Sequence, residues 1–109
     1  MIEKVLRDYL SSKLSVPVVM ENTTETEYVL IEKTGSGESN YIHSATFAIQ
    51  SYSDSLYGAS QLNEAVKSAM QNIIELDVVS DCSLNSDYNY TDLSEKRYRY
   101  QAVFNLTHY

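Results

Sequence analysis

Residues 41–74, YIHSATFAIQSYSDSLYGASQLNEAVKSAMQNII, decide the fold, because a strand pattern turns directly into a helix pattern there. Apolar and polar residues alternate as far as Gln50, which is typical of a half-buried strand. The short polar residues at 53–55 then break the alternation and predict the N-cap of a helix. Apolar residues next recur at helical spacing, so we expect one face of this helix to pack on a sheet. The predicted buried stripe is Ala59, Leu62, Val66, Ala69 and Ile73, widened by Ala65, Met70 and Ile74, with Asn63 on the opposite side.

The segments before this stretch predict a helix and two strands. Apolar residues from Ile2 to Leu14 are spaced as one face of a helix, which Pro17 prevents from continuing. A short edge strand is expected at 16–21. The strand that follows at 28–31 is apolar on both faces, which suggests a central strand or one whose second face meets another subunit. Residues 34–40 hold two of the three glycines and predict a flexible hairpin loop.

Two further strands are predicted after the long helix. In the first strand, Cys82, Leu84, Tyr88 and Tyr90 are expected to share one face. The second strand is predicted to have one apolar face and one polar face. The apolar face carries Tyr98, Tyr100, Ala102, Phe104 and Leu106. The polar face includes Arg97, Arg99, Gln101, Asn105 and Thr107. The order α-β-β-β-α-β-β predicts one α+β domain over residues 1–109. It consists of a single, mainly antiparallel sheet of about five strands with both helices packed on one face.

Composition narrows the classes of function. A chain of 109 residues with 43% hydrophobic and 21% charged residues is typical of one globular domain. A net charge of −7 argues against nucleic-acid binding, which needs clustered Lys and Arg. No apolar run approaches the roughly 20 residues that span a bilayer, and the N-terminus predicts no signal peptide. Ten tyrosines without tryptophan fit either a protein interface or ordinary strand composition.

The residues that could carry chemistry do not form a recognisable motif. Gly35 and Gly37 lack the third glycine of a dinucleotide loop and lead into a strand, so no cofactor is expected. His43 and His108 lack the paired spacing of a zinc site. A nucleophile pair of Cys82 with His43 needs neighbouring strands, and Cys82 falls on an apolar strand face, where a structural thiol is expected. The sequence therefore predicts no catalytic residues and no bound metal.

The chain resembles tail terminator, or tail-completion, proteins of the tailed-phage neck, over nearly its full length. The resemblance rests on the order of elements and on four stretches: MIEKVLRDYL at 1–10, PVV at 17–19, FAIQSYS at 47–53 leading into 59–70, and YRYQAVF at 98–104. It implies a virion protein that forms a six-fold ring on the end of the tail tube and docks to the head connector. DNA would pass through the ring without specific binding.

The implied ring needs two different surfaces on each subunit, since neighbours in a ring meet head to tail. We assign these surfaces to apolar, tyrosine and glycine-rich positions, and expect residues 34–40 to become ordered on a neighbour. The predicted interface residues are Tyr28, Val29, Ile31, Gly35, Ser36, Gly37, Glu38, Tyr41, Tyr57, Arg97 and Arg99. Alternatives are another head–tail connector or minor tail protein, and a small acidic protein-binding module outside the virion. A small enzyme is the third class, and it would depend on His43, Cys82 or a pair of carboxylates.

Overall fold

The structure, a computed structural model, describes residues 2–21, 23–39, 42–91 and 98–109. Two helices pack on one face of a five-stranded, mostly antiparallel sheet, which confirms the predicted fold class and element order. The elements are α1 (Ile2–Lys13), β1 (Val18–Val19), β2 (Tyr28–Ser39), β3 (Ile42–Ser53), α2 (Leu56–Gln71), a 3-10 turn (Ile73–Glu75), β4 (Val79–Asn89) and β5 (Tyr98–His108). Neither helix in these ranges has the length and apolar character needed to cross a membrane.

The strands lie in the order β1-β2-β3-β5-β4, so β5 sits between β3 and β4. Only β1 is parallel to its neighbour, and it pairs with β2 at Val29 and Leu30 alone. We call the side of the sheet under the helices the helix face and the other side the outer face. Since β4 has a described partner only in β5, one of its edges is open along the part of the chain that the structure describes.

The transition from β3 to α2 follows the predicted local signals. Ser55 has extended backbone angles, and its hydroxyl accepts a hydrogen bond from the Gly58 amide at 3.0 Å. That arrangement is the N-cap expected from the run of short polar residues. A side chain at Gly58 would place Cβ 2.3 Å from the Ser53 hydroxyl oxygen, so the tight turn from strand to helix needs glycine there.

The core lies between the helix face and the two helices. It joins Leu6, Tyr9 and Leu10 of α1 to the centre of the sheet and to the predicted stripe of α2. The Tyr9 hydroxyl also donates to the Ala69 carbonyl at 2.8 Å and links the two helices. The fully buried residues of the sheet in this core include Val29, Phe47, Ile49 and Ala102.

The edges of the α2 stripe differ from the prediction. Ala65 and Ile74 are exposed, whereas Asn63, which was expected on the solvent side, is only 2% exposed. The shift arises because β4 covers the Asn63 side of α2, where the Asn63 side chain donates to Asp87. Ile74 lies in the 3-10 turn, whose tighter winding takes its side chain out of the helical stripe.

Residues 34–39 are strand and not the predicted loop. β2 continues to Ser39 and pairs with β3 as far as Ser39–Ile42, with one irregularity between Lys33 and Gly35. The backbone ladder to β3 therefore overrides the local preference of glycine and serine for a turn. The last residue of the predicted loop, Asn40, lies outside the described residues.

β4 also differs from the prediction, because a bulge lies between Leu84 and Ser86. The extra residue changes the alternation of side chains along the strand. Cys82 and Leu84 pair with helix-face residues of β5, but Tyr88 pairs with Gln101, which is on the outer face. The four residues predicted to share one face are thus divided between both faces.

Candidate interaction surface

The structure does not bring together Cys82 and His43, the nucleophile pair considered above. Cys82 and His43 lie on strands separated by β5, so two strand spacings, roughly 10 Å, separate them. His43 instead stacks on His108 with ring centroids 5.4 Å apart, and its Nδ1 lies 3.8 Å from a Glu38 carboxylate oxygen. These side chains line an open cavity of about 380 Å³. Within residues 2–21, 23–39, 42–91 and 98–109, no three His, Cys, Asp or Glu side chains cluster as metal ligands.

Cys82 is a half-buried thiol beside the core. Burial, with a smaller contribution from the nearby Asp81 carboxylate, raises the pKa of Cys82 to about 11. Because the thiolate is the reactive form, this thiol is mostly unreactive at neutral pH.

We therefore expect iodoacetamide at pH 8 to alkylate Cys82 in the folded chain on the order of 100-fold more slowly than an unperturbed thiol. The rate should rise with pH until the pKa near 11 is passed. Mass spectrometry of timed samples measures the rate, and the urea-unfolded chain is the control. Equal rates in the folded and unfolded chains would contradict the burial of this thiol.

A network of tyrosine, glutamine and arginine side chains covers one end of the outer face. It begins at the stacked rings of Tyr28 and Tyr52, whose centroids are 4.5 Å apart and which are almost fully buried. The Tyr52 hydroxyl donates to Gln50 Oε1 at 2.7 Å, and Gln50 Nε2 donates to Gln101 Oε1 at 2.8 Å. Gln101 Nε2 then donates to the Tyr88 hydroxyl on β4. The network thus runs across the sheet from β2 to β4, the strand with the open edge.

Arg99 fixes the exposed end of this network. Its Nη1 donates to the Tyr52 hydroxyl at 2.9 Å, and its Nε donates to the Tyr90 carbonyl at 2.6 Å. The guanidinium group also lies 4.3 Å from the centroid of the Tyr90 ring. Tyr88 and Tyr90, which are 41% and 44% exposed, contact each other edge to face. Two large rings are therefore held in fixed positions beside the open edge of β4.

The helix face of the same edge carries one exposed apolar side chain beside a groove of mixed lining. Leu84 is 49% exposed, next to a groove of about 210 Å³ between α2 and β4. Cys82, Met70 and Phe104 contribute to the walls of this groove. We define the β4 edge surface as the open edge of β4 together with Leu84 on the helix face and Tyr88 and Tyr90 on the outer face.

The predicted interface residues fall into three groups. Val29 and Ile31 are core residues, and Tyr28 is buried against Tyr52, so none of the three is on the surface of the single chain. Those at or near the surface are Gly35, Ser36, Gly37 and Glu38 on β2, Tyr57, which is 72% exposed, and Arg99 in the tyrosine network. Tyr41 and Arg97 lie outside the described residues.

Leu84 and Tyr88 are absent from the predicted interface residues. Both were expected on one face that packs on the core, and the bulge that separates them has no sequence signal of its own. The available signal was the absence of Lys and Pro from residues 79–89, because edge strands usually carry such blocking residues.

The chain was compared with known proteins. No protein-family model matches it, and no curated protein matches it in sequence.

Proposed function

We propose that this protein is a structural subunit of the tailed-phage neck. In this role it forms a homo-oligomeric ring, with six subunits expected, that caps the tail tube and joins it to the head connector. Its site of action would be the virion, and it would need no catalytic residue, cofactor or membrane. The proposal starts from the resemblance described above, with which the α-β-β-β-α-β-β order agrees.

The β4 edge surface is the observation that carries the proposal. An 11-residue edge strand leaves a row of backbone amides and carbonyls without a described strand partner. Its sequence, VSDCSLNSDYN, has neither lysine nor proline, and although the strand contains two register irregularities, its unpaired backbone groups are a template for pairing with another chain. Leu84 and Tyr88 add exposed apolar area on both faces. A strand with these properties is expected at a subunit interface.

Charge and residue type also support a role as a structural ring. Tyrosine and arginine dominate the binding energy of many protein interfaces, and Arg99 holds Tyr90 in position here. The net charge of −7 would keep the wall of a DNA channel from binding its contents.

The test is the mass of the wild-type protein, measured by light scattering at high protein concentration with and without purified tail tubes. We expect a closed species of about six times the 12.4 kDa chain, at least when tubes are present. Electron microscopy should then locate the ring at the end of the tube. A ring that binds head connectors but no tubes would assign the protein to another neck position. A strict monomer that also fails to bind tubes would contradict the ring and favour a small acidic binding module.

A further inference from the structure

We propose that the open edge of β4 in one copy pairs with the edge of β2 at residues 31–39 in the next copy. The sheets of neighbouring subunits would then form one continuous sheet around the ring. This inference rests on the proposed ring and names the surfaces that build it. It is a head-to-tail contact, which can continue around a ring, whereas pairing of β4 with a second β4 would stop at a dimer.

The edge of β2 is open over most of its length. β1 pairs with β2 only at Val29 and Leu30, and no other described strand lies along residues 31–39 on that side. This nine-residue stretch, which contains Lys33 and the irregularity between Lys33 and Gly35, is comparable in length with the 11 residues of β4. Each subunit therefore has two open strand edges, at opposite sides of one sheet.

At the centre of this stretch, residues 35–37, the side chains of β2 are small, and so are their partners on β3. Gly35 pairs with Thr46, Ser36 with Ala45 and Gly37 with Ser44. No large side chain stands at these six positions, so this part of the hairpin has little cross-strand packing of its own. Glycine in a strand is stabilised when a large, often aromatic, side chain from a neighbouring strand covers it.

Gly35 is not required by the packing of the single chain. Its φ lies outside the left-handed range, and a Cβ built on it would be 3.9 Å from Thr46, an ordinary contact distance. Gly37 differs, because a Cβ there would lie 3.0 Å from the Ser44 hydroxyl oxygen. The space above Gly35 is therefore available to a side chain from outside the subunit.

The large side chains of β4 are on the matching face. Gly35 and Thr46 belong to the outer face, as do Tyr88 and its partner Gln101. In a sheet that continues from β4 to β2 of the next copy, Tyr88 would lie on the same side as the glycines. Leu84, on the helix face, would lie on the side of Ser36. The large side chains on the edge of β4 thus meet the glycine and serine residues at positions 35–37 of β2.

Complementary variants test this pairing. Leu84→Lys places a charge on the β4 edge, and Gly35→Lys fills the space on the β2 edge; Leu84 is exposed and Gly35 has room for a side chain, so both variants should fold. Native mass spectrometry is run under conditions in which the wild type forms rings. We expect each variant alone to remain at 12.4 kDa. An equimolar mixture should give a heterodimer of twice that mass and nothing larger, because only one intact pair of edges remains.

The control variant is Ile74→Lys, which makes the same kind of change at a residue that is 59% exposed and lies in the 3-10 turn, outside both strand edges. It should form rings as the wild type does. Melting curves establish that all three variants fold. Rings from either edge variant alone, homodimers of either, or a mixture that remains monomeric would overturn the pairing, while wild-type rings would leave the proposed function intact. Failure of the wild type to assemble would instead contradict the ring itself.

Disulfide cross-linking gives a second measurement that does not depend on blocking assembly. In a Cys82→Ala background, Gly35→Cys is combined in turn with Ser83→Cys, Ser86→Cys or Tyr88→Cys, which lie on the outer face of β4. One of these positions should come within the roughly 4.4–6.8 Å Cα separation that a disulfide requires. We expect that variant alone to give a covalent ladder of subunits on oxidation, with none from the single-cysteine chains. Rings that form without any ladder would overturn the pairing.

Discussion

Phe47→Ala is expected to lower the free energy of unfolding by about 3–5 kcal/mol, which is a large part of the total stability of a domain of this size. Phe47 is fully buried on β3, the middle strand of the sheet, and pairs with Phe104 on β5. Truncating it removes apolar contacts and leaves a cavity between the sheet and the helices. The melting temperature should fall by more than about 12 °C, since 1 kcal/mol shifts it by roughly 4–8 °C in a domain of about 100 residues.

Tyr57→Ala is the control for this experiment, because it removes an aromatic ring that is 72% exposed. Its effect on the free energy of unfolding should stay within about 0.5 kcal/mol. Urea denaturation and thermal melting measure both variants. Equal losses for the two would mean that Phe47 is not at the centre of the core.

The second large effect is expected at the polar contact that fastens α2 to β4. Asn63 is 2% exposed, and its Nδ2 donates to Asp87 Oδ1 at 2.7 Å, while Lys67 Nζ lies 2.6 Å from Asp87 Oδ2. Asn63 Oδ1 has no hydrogen-bond partner among the described residues. Asp87→Ala would leave the whole buried amide without one. We expect a loss of about 1–3 kcal/mol in the free energy of unfolding.

A double variant separates this cause from general damage to β4. Asn63→Leu combined with Asp87→Ala removes both polar partners, so most of the lost stability should return. Asp81→Ala, an exposed change on the same strand, is the control and should alter stability by less than about 0.5 kcal/mol. Urea denaturation measures all of these chains. If Asp87→Ala behaves as Asp81→Ala does, the Asn63–Asp87 contact adds no stability.

The ion pair between Lys67 and Asp87 makes the stability of the fold depend on pH in the alkaline range. The Asp87 carboxylate, with a smaller contribution from Glu64, raises the pKa of Lys67 above its usual 10.5. A group whose pKa is higher in the folded state stabilises the fold below the unfolded-state pKa. The contribution of Lys67 is therefore present at neutral pH and is lost as the pH rises through its folded-state pKa.

The parts of the fold that were predicted correctly are those with local causes. Alternation in β3, the helical spacing in α2 and the Ser55 cap are each set by residues close together in the chain. Residues 34–39 were predicted wrongly because their glycines favour a turn locally, while pairing with β3 depends on residues that the local pattern does not include.

The candidate site was less predictable than the fold. The apolar run at 28–31 fitted either a central strand or a strand whose second face meets another subunit. β2 lies between β1 and β3 there, and Tyr52 and the core cover Tyr28, Val29 and Ile31. The bulge before Ser86 determines that Leu84 and Tyr88 point to opposite faces, and a bulge has no characteristic side chain. The sequence therefore placed Gly35 and Gly37 in the predicted interface, but as part of a loop that is in fact strand, and it did not place Leu84 or Tyr88 there.

The place of β5 between β3 and β4 has a consequence for the order in which the protein can fold. β5 follows every other described element in the chain, yet it lies between β3 and β4 and pairs with both. During synthesis the β2–β3 hairpin and α2 emerge first, and one edge of β3 then stays without its partner. The sheet can close only after residues 98–108 have left the ribosome. Until that moment the unpaired edge of β3 is a place where the nascent chain can aggregate.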